Sequence, residues 1–291
     1  MSNYDCRHGT WWTLGAKASR DYEGIIMNQN TNDIIINHYN KVAEKFGLSP
    51  SSTIGDQYIR QAEITFFIES LKAKVSNQGE GQSLFDIGCG NGHLLSVIRQ
   101  EFPKLKLFGL DFHPELTKLA QSRKLENCEI IQGDMRKELS MFGHHDFVIT
   151  ERSVINLLNK EEQFCALSNI SMIIKPQGYY FFSESFEEPR ANINRARKQM
   201  YLAEDINPSK HNLWLREEDL LTLNENNMHE IDGPLAKNHL STHFYITRIL
   251  HSIALPKGGV AEEFQNFFNT ALPAAVGNYS PILFRSFEKS K

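Results

Sequence analysis

The sequence predicts an α/β protein built on a doubly wound, mostly parallel sheet with an antiparallel last strand. Short apolar runs alternate with stretches of helical periodicity between residues 83 and 185. The runs are short and mostly apolar, as strands are when helices cover both faces of a sheet. The first of them ends in "DIGCGNG", where Gly88, Gly90 and Gly92 occupy alternate positions.

Residues 1–30 carry no clear period, and Trp11 and Trp12 need a surface to pack on. Residues 32–48, "NDIIINHYNKVAEKFGL", place apolar side chains at helical spacing. "SPSST" supplies cap-type residues ahead of a second helix, "DQYIRQAEITFFIESLKAKV". The alternation then begins. "SLFDIG" is a strand, and "GHLLSVIRQEFP" a helix that stops at Pro103. "KLFGLDF" is a strand, and "PELTKLAQSRKL" a helix with proline at its start. "CEIIQGD" and "HDFVITER" are strands three and four; "KEEQFCALSNISMIIKPQG" is a helix ending at a Pro/Gly break, and "YYFFSES" is strand five. Such an alternation implies right-handed βαβ units.

After Glu188 the alternation fails. Residues 189–230 read as polar helix broken around "NPSKHNLW", and 242–255 and 261–272 as amphipathic helices. "SPILFRSFEK" closes the chain as an edge strand. The expected organisation is an N-terminal extension and cap helix over 1–50, then a main domain over 51–291. A helical insert at about 189–275 would cap the C-terminal edge of the sheet.

Composition narrows the function. The chain has 291 residues, 41% of them hydrophobic, enough for a sizeable core. Its 31 basic and 35 acidic residues give a net charge of −4, which does not favour a nucleic acid partner. Cys6, Cys89, Cys128 and Cys165 fit neither a CxxC pair nor a disulfide framework, so reduced thiols are expected. No run reaches the length of a membrane span, and "MSNYDCRHGTWW" does not read as a signal peptide. The cytoplasm is the expected location. No metal-ligand spacing is present, and His144 and His145 are expected in a solvated turn away from the site.

The glycine turn is the strongest functional signal. Ligands bind outside the C-terminal ends of parallel strands, where strand order reverses. Glycine permits positive φ and removes Cβ, and the helix that follows offers free amides. A dinucleotide fingerprint would need a small residue at position 93, where His93 stands, and no GK[ST] follows for a phosphate loop.

"FDIGCGNG" resembles motif I of class I S-adenosylmethionine-dependent methyltransferases, and three further stretches follow in that family's order. The resemblance covers roughly residues 35–190 and implies a Rossmann-like fold with S-adenosylmethionine as cofactor. It assigns Gly88, Gly90 and Gly92 to the cofactor turn, and Asp111, with Phe112 beside it, to the ribose hydroxyls. Gly133, Asp134 and Met135 of "IIQGDM" match the adenine loop, with Asp134 accepting from the exocyclic amine. Asp86 either contacts the cofactor or orients the turn's amides. Cys89 is packing.

For the acceptor side, Glu151 and Arg152 follow strand four and Glu184 follows strand five. His211, Asn212 and Trp214 lie in "KHNLWL". His211 is the candidate general base, with Glu151 and Arg152 beside it as catalytic candidates or as a structural ion pair. Arg60, and Tyr39 on the N-terminal helix, are candidate cofactor contacts; Arg60 would meet the cofactor carboxylate. The residues "TERS" replace the (N/D)PP(Y/F) motif of enzymes that methylate base amines. "VAEKFGLSPSST…DQYIRQAE" and "HNLWLREEDL" resemble bacterial small-molecule methyltransferases, some of them of polysaccharide, sugar or secondary-metabolite pathways.

The leading expectation is methyl transfer to an O or N atom of a small molecule, with thiol, carboxylate and carbon acceptors left open. No nucleic acid or membrane partner is expected, and a homodimer is left open. The alternative is a non-catalytic protein that binds S-adenosylmethionine or S-adenosylhomocysteine. An aminopropyltransferase on the same fold is disfavoured, because "TERSVINL" lacks that family's aspartate-rich site.

Overall fold

The computed structural model describes residues 3–5, 10–12, 29–50, 54–203, 205–255 and 262–291. β1 (Asn3–Asp5) and β2 (Thr10–Trp12) pair as an antiparallel ribbon; what Trp11 and Trp12 pack on lies outside the described residues. α1 (Gln29–Phe46) and α2 (Gln57–Lys72) follow. Asp56, rather than a residue of "SPSST", caps α2, accepting from the amides of Tyr58 and Ile59 at 3.1 and 3.3 Å.

The alternating core runs β3 (Ser83–Ile87), α3 (His93–Glu101), β4 (Lys106–Asp111), α4 (Pro114–Ser122) and β5 (Cys128–Gln132). It continues through β6 (His145–Glu151), α5 (Lys160–Met172) and β7 (Ile174–Ser185). The insert holds α6 (Glu187–Gln199), α7 (Leu221–Glu225), β8 (Met228–Ile231), α8 (Ser241–Tyr245), α9 (His251–Ala254) and α10 (Glu262–Ala271). A π-helical turn, Ile246–Leu250, joins α8 to α9. β9 (Ile282–Lys289) ends the fold.

The seven-stranded sheet has the order β5-β4-β3-β6-β7-β9-β8. β3, β4, β5, β6 and β7 pair in parallel, and β9 runs antiparallel to both β7 and β8. The predicted doubly wound sheet is thus present, and strand order reverses between β3 and β6. Three details differ from expectation. "IKPQG" opens β7 rather than ending the helix before it. β9 lies between β7 and β8 rather than at the edge, and the insert contains a strand of its own. β8 spans four residues, "MHEI", too few and too polar for a period to register. β9 is buried without interruption from Ile282 to Phe287, as suits a strand covered on both faces.

Side chains alternate between two cores. Phe66, Phe67, Leu84, Phe147, Phe181 and Phe284 pack on one face; Phe85, Leu167, Ile170, Tyr180, Phe182 and Phe287 pack on the other. Each such fully buried side chain stabilises the fold by about 1.5–3 kcal/mol. Two expectations fail at single residues. His145 is not in a solvated turn: it starts β6 buried between the rings of Phe85 and Phe108, at 4.9 and 4.8 Å. Burial holds its pKa down to about 4. Cys89 and Cys128 are free thiols, but Cys165 is disulfide-bonded rather than reduced.

Candidate functional site

A cavity of about 400 Å³ opens along the C-terminal ends of the parallel strands, within the size range of small-molecule sites. Gly88 and Gly90 line it after β3, Asp111 and Phe112 at β4, and Gly133, Asp134 and Met135 after β5. Glu151 and Arg152 line it at β6. Tyr39 and His38 of α1, His211, Asn212 and Trp214 of the insert, and Arg248 of the π turn close over it.

The glycines of the turn do different jobs. All three have positive φ, +82° at Gly88, +55° at Gly90 and +72° at Gly92. A Cβ at Gly88 would stand 2.3 Å from the Cβ of Ser153, and one at Gly92 would stand 3.0 Å from that of Ala120. A Cβ at Gly90 would meet nothing within 4 Å. Gly90 therefore leaves open space beside the cavity. Gly92, at positive φ and tight against Ala120, is not among the residues that line the cavity. Cys89 is buried behind the turn, in contact range of a Cβ at Gly109, and burial raises its thiol pKa.

Asp111 is held from behind. Its Oδ2 accepts from the Gly90 amide at 2.7 Å and its Oδ1 from the His113 amide at 2.8 Å. Burial lifts its pKa to about 6, against the pull of those two amides. A carboxylate offers roughly four acceptor positions, so two remain for a ligand's hydroxyls. Asp134 is bound differently: Arg136 grips it through Nε at 2.9 Å and Nη2 at 2.7 Å. Arg136 also bonds Glu162 at 3.1 Å and Asn32 at 3.2 Å, tying α1 to the β5 loop.

The expected Glu151–Arg152 pair is part of a larger buried cluster. Arg60 donates to Glu151, and the Arg152 Nε donates to Glu63 at 2.8 Å with its Nη2 3.5 Å from Glu151. Ser183 Oγ donates to the same Glu63 oxygen at 2.8 Å. Burial, reinforced by neighbouring Glu151, keeps Glu63 protonated well above the usual carboxylate range. Burial would raise Glu151 too, but the guanidiniums of Arg60 and Arg152 outweigh it and hold Glu151 ionised. Arg60 is thus committed to Glu151 and does not line the cavity. Sequence reading missed Glu63 because one acid within an apolar helix face carries no local signal.

Two other candidates sit behind the site. Asp86 is buried beneath the turn; its Oδ1 has no hydrogen-bond partner, and burial with Glu151 and Asp111 nearby raises its pKa. It takes no amide of the turn. Glu184 is buried and caps the 3₁₀ turn Val154–Asn156, accepting from the amides of Ser153 and Val154 at 3.0 Å each. Burial lifts its pKa to about 7 against those bonds.

The roof depends on α1. Asn156 donates to the Tyr39 hydroxyl at 2.8 Å, and Asn40 bonds His113 at 3.0 Å. His38 stacks on His211 with centroids 3.5 Å apart. Burial, then the nearby His38, lowers the pKa of His211 to about 4, so that ring is neutral at physiological pH. His38, Arg136 and Arg248 escaped sequence reading, since only the folded chain brings them to one cavity.

A family model described as a methyltransferase domain matches residues 78–233. A malonyl-[acyl-carrier protein] O-methyltransferase of Priestia megaterium is 23% identical over 172 residues, 57% of this chain and 57% of that protein. The chain spans about half the length of the curated relatives it matches. The magnesium protoporphyrin IX methyltransferase of Synechocystis PCC 6803, solved with bound S-adenosylhomocysteine, superposes with a TM-score of 0.55. It is 13% identical, with 91% of this chain and 99% of that chain covered. The N-methyltransferase NodS from Bradyrhizobium japonicum WM9 superposes with a TM-score of 0.53 at 12% identity, covering 88% of this chain and 100% of that one. These two likenesses concern the fold. The chain belongs to the methyltransferase-domain family and carries the Rossmann-like fold of class I S-adenosylmethionine-dependent methyltransferases.

Proposed function

We propose that the protein transfers a methyl group from S-adenosylmethionine to an O or N atom of a small molecule. One observation carries the reading: the open side of Gly90 and the carboxylate of Asp111 face one cavity at the point where strand order reverses. In this reading Asp111 accepts from the ribose hydroxyls, with Phe112 beside it. Gly133, Asp134 and Met135 bound the adenine side, where Asp134 works from its clasp with Arg136. Gly88 and Gly90 supply close backbone approach, and Glu151 with Tyr39 borders the methionine side. When bound, S-adenosylmethionine supplies a sulfonium methyl group already activated for displacement.

The chain's own task is to align a nucleophile about 3 Å from that methyl and to exclude water. α1 and the 207–214 segment form the wall that excludes it. The ionised Glu151, pinned by two guanidiniums, is fixed in place where it lines the cavity. His211 is neutral and can accept a hydrogen bond from a hydroxyl or neutral amine acceptor, while its lowered pKa makes it a weak base. The matched relatives are named for O-methylation, and one structural neighbour for N-methylation, so both atoms stay within the reading.

Calorimetry with S-adenosylmethionine, followed by a metabolite screen for S-adenosylhomocysteine formation, tests the proposal. Saturable binding and turnover with one acceptor class are expected. Absence of binding would sink it, and binding without turnover on any acceptor would favour a regulatory cofactor-binding protein.

A further inference from the structure

Among the described residues three arginines line the cavity, Arg136, Arg152 and Arg248, and no lysine does. Two are already engaged by carboxyl groups. Arg136 is clasped by Asp134 and Glu162, and Arg152 by Glu63 and Glu151. Arg248 makes no ion pair and no side-chain hydrogen bond among the described residues; its guanidinium lies over the Phe244 ring, 5.7 Å from the centroid. Asp56 is the carboxylate whose field reaches it, but Asp56 is spent on His243 Nε2 at 2.9 Å and on the amides that it caps. Arg197 adds a second cation to the same turn, donating to the Arg248 carbonyl. Arg248 is half-buried with its fork open to an incoming anion, and the bidentate fork of arginine suits carboxylate and phosphate oxygens.

Backbone geometry points the same way. Arg248 sits within the π turn Ile246–Leu250, and such turns interrupt α-helices frequently at functional sites. The helix is anchored on the far side of the sheet from the ribose carboxylate. Ser241 Oγ donates to the Val276 carbonyl at 2.7 Å, and the Tyr279 amide donates to Ser241 at 2.9 Å, in the segment leading into β9. β9 lies four strand spacings from β4, roughly 19 Å at about 4.8 Å each.

We propose that Arg248 anchors an acidic substituent, a carboxylate or a phosphate, on the methyl acceptor. Phe244 beneath it, with Ile59 and Ile282 elsewhere in the cavity lining, would take an apolar body attached to that anion. The proposal rests on the methyltransferase reading and names the substrate class for the same site.

The test uses wild type, Arg248→Met and Arg248→Lys, each saturated with S-adenosylhomocysteine. Calorimetry measures phenylacetate and hexanoate, their neutral amides, and phenyl phosphate. Wild type should bind at least one anion about 10- to 100-fold more tightly than its neutral counterpart, a preference that Arg248→Met removes and Arg248→Lys partly restores. Stronger binding of phenyl phosphate than of the carboxylates assigns a phosphate; the reverse assigns a carboxylate. Equal affinity for acids and amides, no binding of any probe, or unchanged anion binding by Arg248→Met overturns the proposal. S-adenosylmethionine is titrated against the same three proteins. A loss of its affinity in Arg248→Met would give Arg248 to the cofactor and overturn the acceptor assignment. Failure of wild type to bind S-adenosylmethionine would instead overturn the methyltransferase reading, so the two failures are separable.

Discussion

The Asp111 Oδ2 atom accepts the Gly90 amide at 2.7 Å, so the acidic end of β4 and the open glycine of the turn hold one another in place. The bond fixes where a ligand's hydroxyls would find a carboxylate, and it pulls down a pKa that burial raises. Both consequences can be measured.

Asp111→Ala should weaken S-adenosylmethionine binding by about 100-fold or more, since two hydrogen bonds to a charged acceptor are lost. The pH dependence has a defined sign. Asp111 is raised to about 6, and only its ionised form accepts from both hydroxyls. Affinity should be level above about pH 6 and fall as pH drops below it. Calorimetry across that range checks both statements, and an affinity independent of residue 111 would remove the ribose assignment.

Gly88→Ala and Gly90→Ala should fail in different ways. At Gly88 the new methyl would overlap Ser153, so the fold itself should lose stability, by several kcal/mol through overpacking and positive-φ strain. At Gly90 only the strain, about 1–2 kcal/mol, applies, and the methyl points into open space. Gly90→Ala should therefore fold and bind S-adenosylmethionine poorly. Thermal melts paired with calorimetry distinguish the two; equal melting losses would contradict the assignment.

Glu63→Gln should change stability at alkaline pH. Glu63 binds its proton more tightly folded than unfolded, because burial and Glu151 disfavour a second negative charge. Wild-type stability should then fall as pH rises from the ordinary carboxylate range through the folded pKa, about 8. The glutamine keeps the neutral form and can still accept from Arg152 and Ser183, so its stability should stay flat there. Urea midpoints from about pH 6 to pH 9 read this directly, and parallel curves for the two proteins would refute it.

His211→Ala should lower kcat by about 10-fold on an acceptor that must lose a proton, the loss of one hydrogen bond to the nucleophile, with S-adenosylmethionine affinity unchanged. With the pKa of His211 near 4, the wild-type rate should be flat from about pH 6 upward. Steady-state kinetics and calorimetry on the same variant separate a hydrogen-bond acceptor from a wall residue. Loss of cofactor affinity without a kcat effect would assign His211 to the roof alone.

Much of this protein is written locally. Alternating strand and helix patterns, the glycine spacing and the acidic strand end at Asp111 depend on near neighbours in the chain, and they determined the doubly wound sheet. The tertiary structure decided what distant segments must do together. β8 is four residues with no period of its own, and it gains strand form only by pairing with β9. Gly88 and Gly90 look alike in sequence, but Ser153, brought from the end of β6, makes one a packing glycine and leaves the other open. Arg60 resembles a free cation until Glu151 arrives beside it, whereas Arg248, carried to the cavity by the π turn, makes no ion pair among the described residues. Local propensity acts over a few residues, whereas burial and charge pairing are set by contacts across the whole chain.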